Sequence, residues 1–362
     1  MNIGQFILDS TDLFTVFRWN NNPSLIRFTE ADNIYNTLLL SLFIFSDDSK
    51  VKVVKILQNK IYETIPKIVL SDISLTTKNK IEEKGKDIWN KTVEKAFQEV
   101  ESKLDKKITE RMFNKHTFDE STENKIKLIN LLVTRKEAEI NERVFPEYYK
   151  EPKMKNEMKA KRIILSNKHQ IELLCEELLN ISTRLVTMTR WNKNHRNIKT
   201  SVSSHSFFVF LISYLLALIS NLETEIIYDV MAASILHDLP EAFTGDVISP
   251  TKRKVKGLEE IINEIEKEFV HEWSDSKSIL KEKVDKFEKY IFNPFKNTYG
   301  KYVKTADLLA ALIECSLEIS TGNQNSYFLK TFDSIKRETL QVSPLDINDI
   351  IYEIEKETFI RP

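Results

Sequence analysis

The chain has 362 residues, of which 41% are hydrophobic and 30% are charged, enough apolar content for two packed domains. Its 53 basic and 54 acidic side chains leave a net charge of −1, so the chain has no overall attraction for nucleic acid or for an anionic membrane. We therefore expect no stable nucleic-acid binding and no membrane association. The two cysteines, Cys175 and Cys315, form neither a disulfide framework nor a zinc motif, which is typical of a cytoplasmic protein.

Residues 1–138 are predicted to form a first helical domain. Asp9 and Asp12 interrupt its apolar start, which also lacks a basic segment, so this stretch makes a poor signal peptide. Only 6 glycines and 9 prolines punctuate the whole chain, and the segments between them mostly show helical spacing of apolar residues. Short β-branched runs such as 52–56 are too few to build a sheet, so we predict an all-α fold.

Residues 139–168 are predicted to connect the first domain to a second one, which spans 169–362. Pro146, Pro152 and mixed charges favour a connector, with a helix after Pro152. The longest apolar run of the second domain, 207–219, covers 13 residues, whereas a membrane span needs roughly 20. This run therefore indicates a buried core helix.

Four sequence blocks recur between the two predicted domains at an offset of 172 to 174 residues. The matched pairs are 17–22 with 189–194, 38–41 with 210–213, 66–80 with 240–254, and 93–97 with 265–269. Blocks that match in order at a nearly constant offset are the mark of an internal repeat. We therefore predict that one helical domain is present in two copies.

Two histidines and two acidic residues of the second copy indicate a metal site. His237 and Asp238 are adjacent at the end of an apolar run, and His205 begins another apolar run 32 residues earlier. Asp307 lies within the apolar segment 303–311, where a metal ion would offset the cost of burying a carboxylate. Such a set suits Mn²⁺, Co²⁺, Fe²⁺ or Zn²⁺, with Mg²⁺ as a further option. An adjacent His-Asp pair alone is also compatible with a buried histidine hydrogen-bonded to its neighbour.

The order of motifs in the second copy resembles that of the HD-domain phosphohydrolases. An Arg-Trp pair at 190–191 is followed by the helix start at His205, the decapeptide HDLPEAFTGD at 237–246, and the segment KTAD that ends at Asp307. The similarity covers about residues 185–330. Within the family it is greatest to the YfbR-like 5′-deoxynucleotidase branch. It implies an all-α helical bundle for this part of the chain.

Transferred by motif position, the resemblance also implies a role for each matched residue. The implied roles are metal ligation by His205, His237, Asp238 and Asp307, acid or water-orienting catalysis by Glu241, placement of the attacking water by Asp246, phosphate binding by Arg190, and contact with the sugar by Trp191. The contact with Trp191 would disfavour a 2′-hydroxyl. The family commonly has Glu before the first histidine, whereas this chain has Ser204, a difference that bears on metal affinity and ligand orientation.

The implied activity is removal of phosphate from 5′-deoxyribonucleoside monophosphates by a metal-activated water. One alternative is hydrolysis of another nucleotide, such as a deoxynucleoside triphosphate or a cyclic nucleotide. The sequence lacks the GYP segment and the additional histidines expected of a two-metal cyclic-dinucleotide phosphodiesterase. A further alternative is a nucleotide-sensing module that binds without turnover.

The first copy lacks most of the histidines and acidic residues that mark the second. The counterparts are Asn33 for His205, Glu63 for His237, Thr64 for Asp238, Lys67 for Glu241 and, as the nearest candidate, Glu137 for Asp307. We therefore expect the first copy not to bind the same metal. Since the family usually works as a homodimer, two tandem copies predict an internal pseudo-dimer that is monomeric or a weak homo-oligomer. In it, Arg18 and Trp19 would be packing residues or a vestigial nucleotide pocket.

Overall fold

The computed structural model describes residues 3–359 except Asp72, Ser74, 248–250, Lys252 and Arg253. The regular elements of these described residues are helices, and the β-pairing among them is limited to isolated bridges. The predicted all-α class is therefore confirmed. The first half contains α1 (Ile3–Asp9), a 3-10 helix (Ser10–Phe14), α2 (Glu30–Ile44), α3 (Lys50–Leu70), α4 (Leu75–Glu101), α5 (Lys106–Met112), α6 (Glu120–Glu142) and α7 (Pro146–Lys161). The second half contains α8 (Lys168–Thr187), α9 (Val202–Ile219), α10 (Thr224–Leu236), α11 (Glu241–Thr244), α12 (Leu258–Asp275), α13 (Ser278–Phe292), α14 (Asn297–Ser320), α15 (Ser326–Val342) and α16 (Asn348–Phe359).

Helix α9 is the central helix of the second half. Its residues are apolar on every side, and by length and composition it could span a membrane. In the structure 94% of this helix is buried, because α8, α10, α14 and α2 pack around it. A helix that is hydrophobic all round requires such complete covering. The prediction of a buried core helix is therefore confirmed.

The two halves meet through matching helices, since α2 packs against α9 and α3 packs against α10. Asp32 of α2 accepts a hydrogen bond from Ser201, and the hydroxyl oxygens of Thr29 and Ser204 lie 3.1 Å apart. At an offset of 172, Thr29 matches Ser201 and Asp32 matches Ser204, so each contact maps onto the other when the halves are exchanged. Reciprocal contacts of this kind define an isologous interface. They support the predicted pseudo-dimer.

The predicted connector contains a well-formed helix. Helix α7 begins at Pro146, where the missing N–H of proline carries no penalty, and it runs through Pro152 while packing along α6. The predicted start of a helix after Pro152 is therefore wrong. The predicted boundary at residue 138 also falls inside α6, so the helices of the first half continue beyond it to Lys161.

The halves differ where the second one breaks a helix. Helix α3 continues through Pro66 to Leu70, whereas α10 ends at Leu236 and the matching Pro240 precedes the separate short helix α11. The break leaves His237 just beyond the end of α10, and Glu241 opens α11. Within the matched blocks 66–80 and 240–254, the residues outside the described ones are Asp72, Ser74, 248–250, Lys252 and Arg253. The chain thus interrupts a core helix at the predicted metal ligands.

Candidate metal and nucleotide site

A tight loop between α8 and α9 presents the Arg-Trp pair. The N–H of Arg190 donates to the carbonyl of Thr200 at 3.0 Å, which holds the end of the loop against its start. Trp191 has a φ of 58°, a left-handed conformation that is uncommon for a bulky residue and is found mostly at constrained sites. The loop therefore holds both side chains in a fixed position beside the first turn of α9, which contains His205.

His205, His237 and Asp238 form a compact cluster in which the candidate ligand atoms all lie within 4.8 Å of one another. His205 is fully buried in the first turn of α9, which is capped by the Ser201 side chain. His237 donates from Nδ1 to the carbonyl of Ser234 at 2.8 Å. In the neutral imidazole this bond leaves the lone pair on Nε2, which lies 3.2 Å from Asp238 Oδ2.

The donor atoms of this cluster fit a divalent cation. His237 Nε2 and Asp238 Oδ2 are buried and have no hydrogen-bond partner among the described residues. Leaving two buried acceptors face to face is unfavourable, and a metal ion between them would satisfy both. Imidazole nitrogen with carboxylate oxygen suits Mn²⁺, Co²⁺, Fe²⁺ or Zn²⁺.

Asp307 of α14 lies at the edge of this cluster. Its Oδ1 lies 3.3 Å from His205 Nε2, and its Oδ2 accepts from Lys304 Nζ at 3.0 Å. Burial alone would raise the pKa of Asp307, but Lys304 and His205 outweigh burial and hold that pKa well below its usual value. Asp307 is therefore an ionised carboxylate in contact with one member of the cluster, while the compact group of three does not include it.

Glu314 contacts three residues of the site, although no sequence motif predicted it as a site residue. It is buried on α14, where its Oε2 accepts from Arg190 Nε at 3.3 Å and from Trp191 Nε1. Its Oε1 accepts from His205 Nδ1 at 3.1 Å. The available sequence signal was a carboxylate two helical turns after Asp307 on the same face of an apolar helix.

The carboxylate of Glu314 determines how its partners face the cluster. A proton held on His205 Nδ1 by Glu314 leaves Nε2 as the metal-facing nitrogen. Burial raises the pKa of Glu314, but the charge on Arg190 outweighs it and the net shift is downward. Burial lowers the pKa of His205, as does Arg190, yet the contacts with Asp307 and Glu314 raise it overall. Both side chains are therefore held by opposite charge.

We predict that Glu314→Gln weakens metal binding by roughly tenfold, the lower end of the usual effect of losing a residue that orients a ligand. The amide keeps the shape but loses the charge that holds His205, Arg190 and Trp191 together. Competition with a chromophoric chelator measures this affinity. Glu176→Gln is the matched control, because Glu176 pairs with Arg135 and Lys136 outside this site. Equal metal affinity in the Glu314 variant and the wild type would contradict the role.

A cavity of about 940 Å³ opens over the cluster. Its lining includes the predicted site residues Arg190, Trp191, His237, Asp238, Glu241, Asp246 and Asp307. Burial raises the pKa of Asp246, and the nearby charge on Asp238 adds to the rise. The indole of Trp191 packs edge-on against Tyr327, with 6.2 Å between the ring centroids. This contact helps to hold the indole in place at the cavity. A nucleotide fits a cavity of this volume.

The first half contains the same loop and the same kind of anchor. Trp19 has a φ of 57°, and both Arg18 Nε and Trp19 Nε1 donate to Glu137 at 2.9 Å. Asn33 donates to the other oxygen of Glu137 at 2.8 Å. Trp19 also packs edge-on against Tyr149, with ring centroids 5.4 Å apart. The first half thus has the same set of contacts, with Asn33 where the second half has His205.

These contacts identify the true counterpart of Glu137. Glu137 makes the bonds in the first half that Glu314 makes in the second, at an offset of 177 residues. The predicted correspondence between Glu137 and Asp307 is therefore wrong. The offset is larger here than in the matched sequence blocks because the segments between the break after α10 and the start of α14 are longer in the second half.

An internal ion cluster lies beside these contacts in the first half. Glu30 is 1% exposed and accepts from Arg18 NH1 at 2.7 Å and from Lys67 Nζ at 2.6 Å. Burial raises the pKa of Glu30, but these two cations outweigh it and lower the pKa to about 2. Side-chain cations thus neutralise the buried carboxylate here.

The second half has known relatives. A family model described as 5′-deoxynucleotidase YfbR-like matches residues 177–356. A 5′-deoxynucleotidase of Erwinia tasmaniensis is 30% identical over 150 residues, covering 39% of this chain and 72% of that protein. The 5′-deoxynucleotidase of Shewanella oneidensis is 29% identical over 145 residues, covering 39% of this chain and 73% of that protein. YfbR of Escherichia coli is 28% identical over 160 residues, covering 41% and 76%.

A solved structure of an HD-domain phosphohydrolase from Listeria innocua aligns with a TM-score of 0.42 at 18% identity, covering 50% of this chain and 92% of that one. The family match at 177–356 contains every predicted site residue from Arg190 to Asp307, together with Glu314. These predicted site residues and Glu314 therefore lie entirely in the segment that the family model matches. This chain belongs to the YfbR-like 5′-deoxynucleotidase family.

Proposed function

We propose that the protein is a metal-dependent nucleotidase that hydrolyses 5′-deoxyribonucleoside monophosphates to nucleoside and phosphate. The main support is the buried cluster of His205, His237 and Asp238 at a cavity that Arg190 and Trp191 also line. The relatives from Shewanella oneidensis and Erwinia tasmaniensis are named 5′-deoxynucleotidases. The proposal extends that activity to this chain.

His205, His237, Asp238 and Asp307 would hold the cation in this proposal. When bound, the cation would lower the pKa of a water molecule and stabilise charge on the phosphoryl group. Arg190 would bind phosphate oxygens, since a guanidinium matches them with paired hydrogen bonds. Glu314 holds Arg190 through Nε, while NH1 lies 3.8 Å from Asp238 Oδ2 on the cluster side. The phosphate would thus be placed between Arg190 and the ligands.

Glu241 and Asp246 would carry out proton transfer in the same cavity. Glu241 lies at the start of α11, where the helix dipole favours a carboxylate, and it lines the cavity with Asp246. We assign Glu241 to protonating the leaving 5′-oxygen or orienting the attacking water. The raised pKa of Asp246 makes its carboxylate a stronger base, which suits it to accept a proton from the attacking water. Trp191 would pack against the deoxyribose and leave no room for a 2′-hydroxyl.

The test is phosphate release by purified protein supplied with Mn²⁺ or Co²⁺. Substrates are dAMP, AMP, dATP and a cyclic dinucleotide, each at the same concentration. We expect turnover of dAMP above that of the others. A preference for AMP would contradict the role of Trp191, and a preference for dATP or a cyclic dinucleotide would favour another phosphohydrolase reaction. Tight binding of nucleotide by calorimetry without any turnover would instead identify a sensing module.

We also propose that the first half is a degenerate copy that does not bind the metal, and that the chain is a monomeric pseudo-dimer. Support comes from the repeated Arg-Trp loop, its Glu137 anchor and the reciprocal contacts of Asp32 and Thr29. Both cysteines are buried free thiols, in keeping with the predicted cytoplasmic location. Size-exclusion chromatography with light scattering should give the mass of one chain, 42.4 kDa.

Glu30→Gln is predicted to destabilise the protein by about 3 kcal/mol, because Lys67 loses its carboxylate partner and Arg18 keeps only its ion pair with Glu137. The carboxylate has a pKa of about 2 in the folded state against an ordinary 4.5. Its contribution is therefore fully present above pH 4.5 and is lost as the pH falls toward 2. Urea denaturation of wild type and variant should show the largest stability difference at neutral pH. An unchanged metal affinity is expected, and a weakened one would contradict a purely structural role.

A further inference from the structure

A carboxylate of the first half accepts hydrogen bonds from the start of the helix that contains His205. Asp32 of α2 is 2% exposed. Its Oδ1 accepts hydrogen bonds from the hydroxyls of Ser201 at 2.5 Å, Ser203 at 2.5 Å and Ser204 at 2.9 Å. These serines are the N-cap and part of the first turn of α9, and His205 follows directly. The contact therefore reaches the residue next to a proposed metal ligand.

The Asp32 carboxylate is itself held in place by hydrogen bonds within the first half. Its Oδ2 accepts from the backbone N–H of Thr29 at 2.9 Å and from the Thr29 hydroxyl at 2.8 Å. The bond from the Thr29 N–H, together with one from the Asp32 N–H to Thr29 Oγ1 at 3.1 Å, forms the capping box that starts α2. One carboxylate thus sits at the N-termini of two helices from different halves, where both helix dipoles favour negative charge. The hydrogen bonds offset the cost of burying that charge.

The same face of α2 extends toward the catalytic carboxylates. Tyr35 lies one helical turn after Asp32 and is fully buried. Burial raises the pKa of Tyr35, and the charges on Asp238 and Glu241 raise it further. Helix α2 also packs against both α9 and α10, the helices that end or begin at the two histidines. The first half therefore packs against the helices that position the two histidines.

We propose that Asp32 is a positioning residue for the metal site, supplied by the catalytically silent half. By holding the first turn of α9, it sets where His205 stands relative to His237 and Asp238. This inference rests on the proposed metal site but not on the identity of the substrate. The first half would then be required for metal affinity, and not merely for stability.

The test compares variants that break the same contact from opposite sides. Asp32→Asn removes the charge, and Ser203→Ala with Ser204→Ala removes two of its donors while leaving the Thr29 capping box and the Ser201 N-cap in place. Asp47→Asn is the matched control. Asp47 also pairs across the halves, with Lys283 and Lys286, but away from the cluster. Each protein is titrated with Mn²⁺ against a chromophoric chelator, and kcat and KM for dAMP are measured beside urea denaturation.

We expect metal affinity to fall about tenfold in both contact-breaking proteins and to stay at the wild-type value in Asp47→Asn. Wild-type metal affinity in the double serine variant would overturn the proposal, even if Asp32→Asn is weak, because the effect would then belong to the start of α2. Should Asp32→Asn fail to fold, the double serine variant decides alone. Loss of metal affinity in a protein that hydrolyses no nucleotide would uphold this inference and refute the proposed function.

Discussion

Asp238→Asn is expected to abolish tight metal binding and to lower kcat/KM by roughly a thousandfold, the equivalent of several kcal/mol of lost charge stabilisation. Burial raises the pKa of Asp238, but His237, His205 and Arg190 lower it to about 2, so the carboxylate is charged at every working pH. The asparagine amide is nearly isosteric and neutral. In the wild type, Asp238 Oδ2 lies 3.2 Å from His237 Nε2. The variant would place an amide group there, which is a poor metal ligand.

Asp229→Asn is the matched control for this variant. Asp229 lies on α10, the helix that leads to the site, but its carboxylate accepts from Lys50 and Tyr290 away from the cavity. We expect this control to keep metal affinity and turnover within a factor of about two, as is usual for partly exposed ion pairs of small energetic weight. Metal affinity that survives in Asp238→Asn would exclude Asp238 as a ligand.

Glu241→Gln is expected to lower kcat by roughly 100- to 10,000-fold, the usual contribution of a positioned general acid or base. Metal affinity and KM should change little, because Glu241 lines the cavity without belonging to the ligand cluster. The amide can still accept a hydrogen bond but cannot deliver a proton to the leaving oxygen. Steady-state kinetics with dAMP, together with chelator competition, separates these effects.

Glu259→Gln is the control for this second variant. Glu259 is an exposed carboxylate of α12 that also lines the cavity, so a general loss of negative charge from the walls would affect it equally. We expect near wild-type kcat in this control. If Glu241→Gln lost metal affinity in parallel with kcat, Glu241 would have to be reassigned to metal binding.

Local patterns were enough to predict the fold class and the order of the site residues. Apolar spacing and the scarcity of glycine and proline indicated helices, because helix formation depends mainly on residues three and four apart. The predicted ligands stand at helix ends or within one apolar helix, as the structure has them. The assignment of His205, His237, Asp238 and Asp307 to a metal stays a prediction, and so do Glu241, Asp246, Arg190 and Trp191 in their roles.

Long-range contacts required the tertiary structure. Glu314 is 109 residues from His205 in sequence, and Asp32 is 172 residues from Ser204. Nothing in the local pattern around either carboxylate shows which side chains it will meet. The pairing of Glu137 with the wrong counterpart has the same origin, since insertions between helices change the offset without changing the packing. Motif order in the sequence was therefore sufficient to predict a set of ligands and a chemistry for them. The groups that orient those ligands were decided only by how α2, α9 and α14 pack, because packing joins residues that no sequence spacing relates.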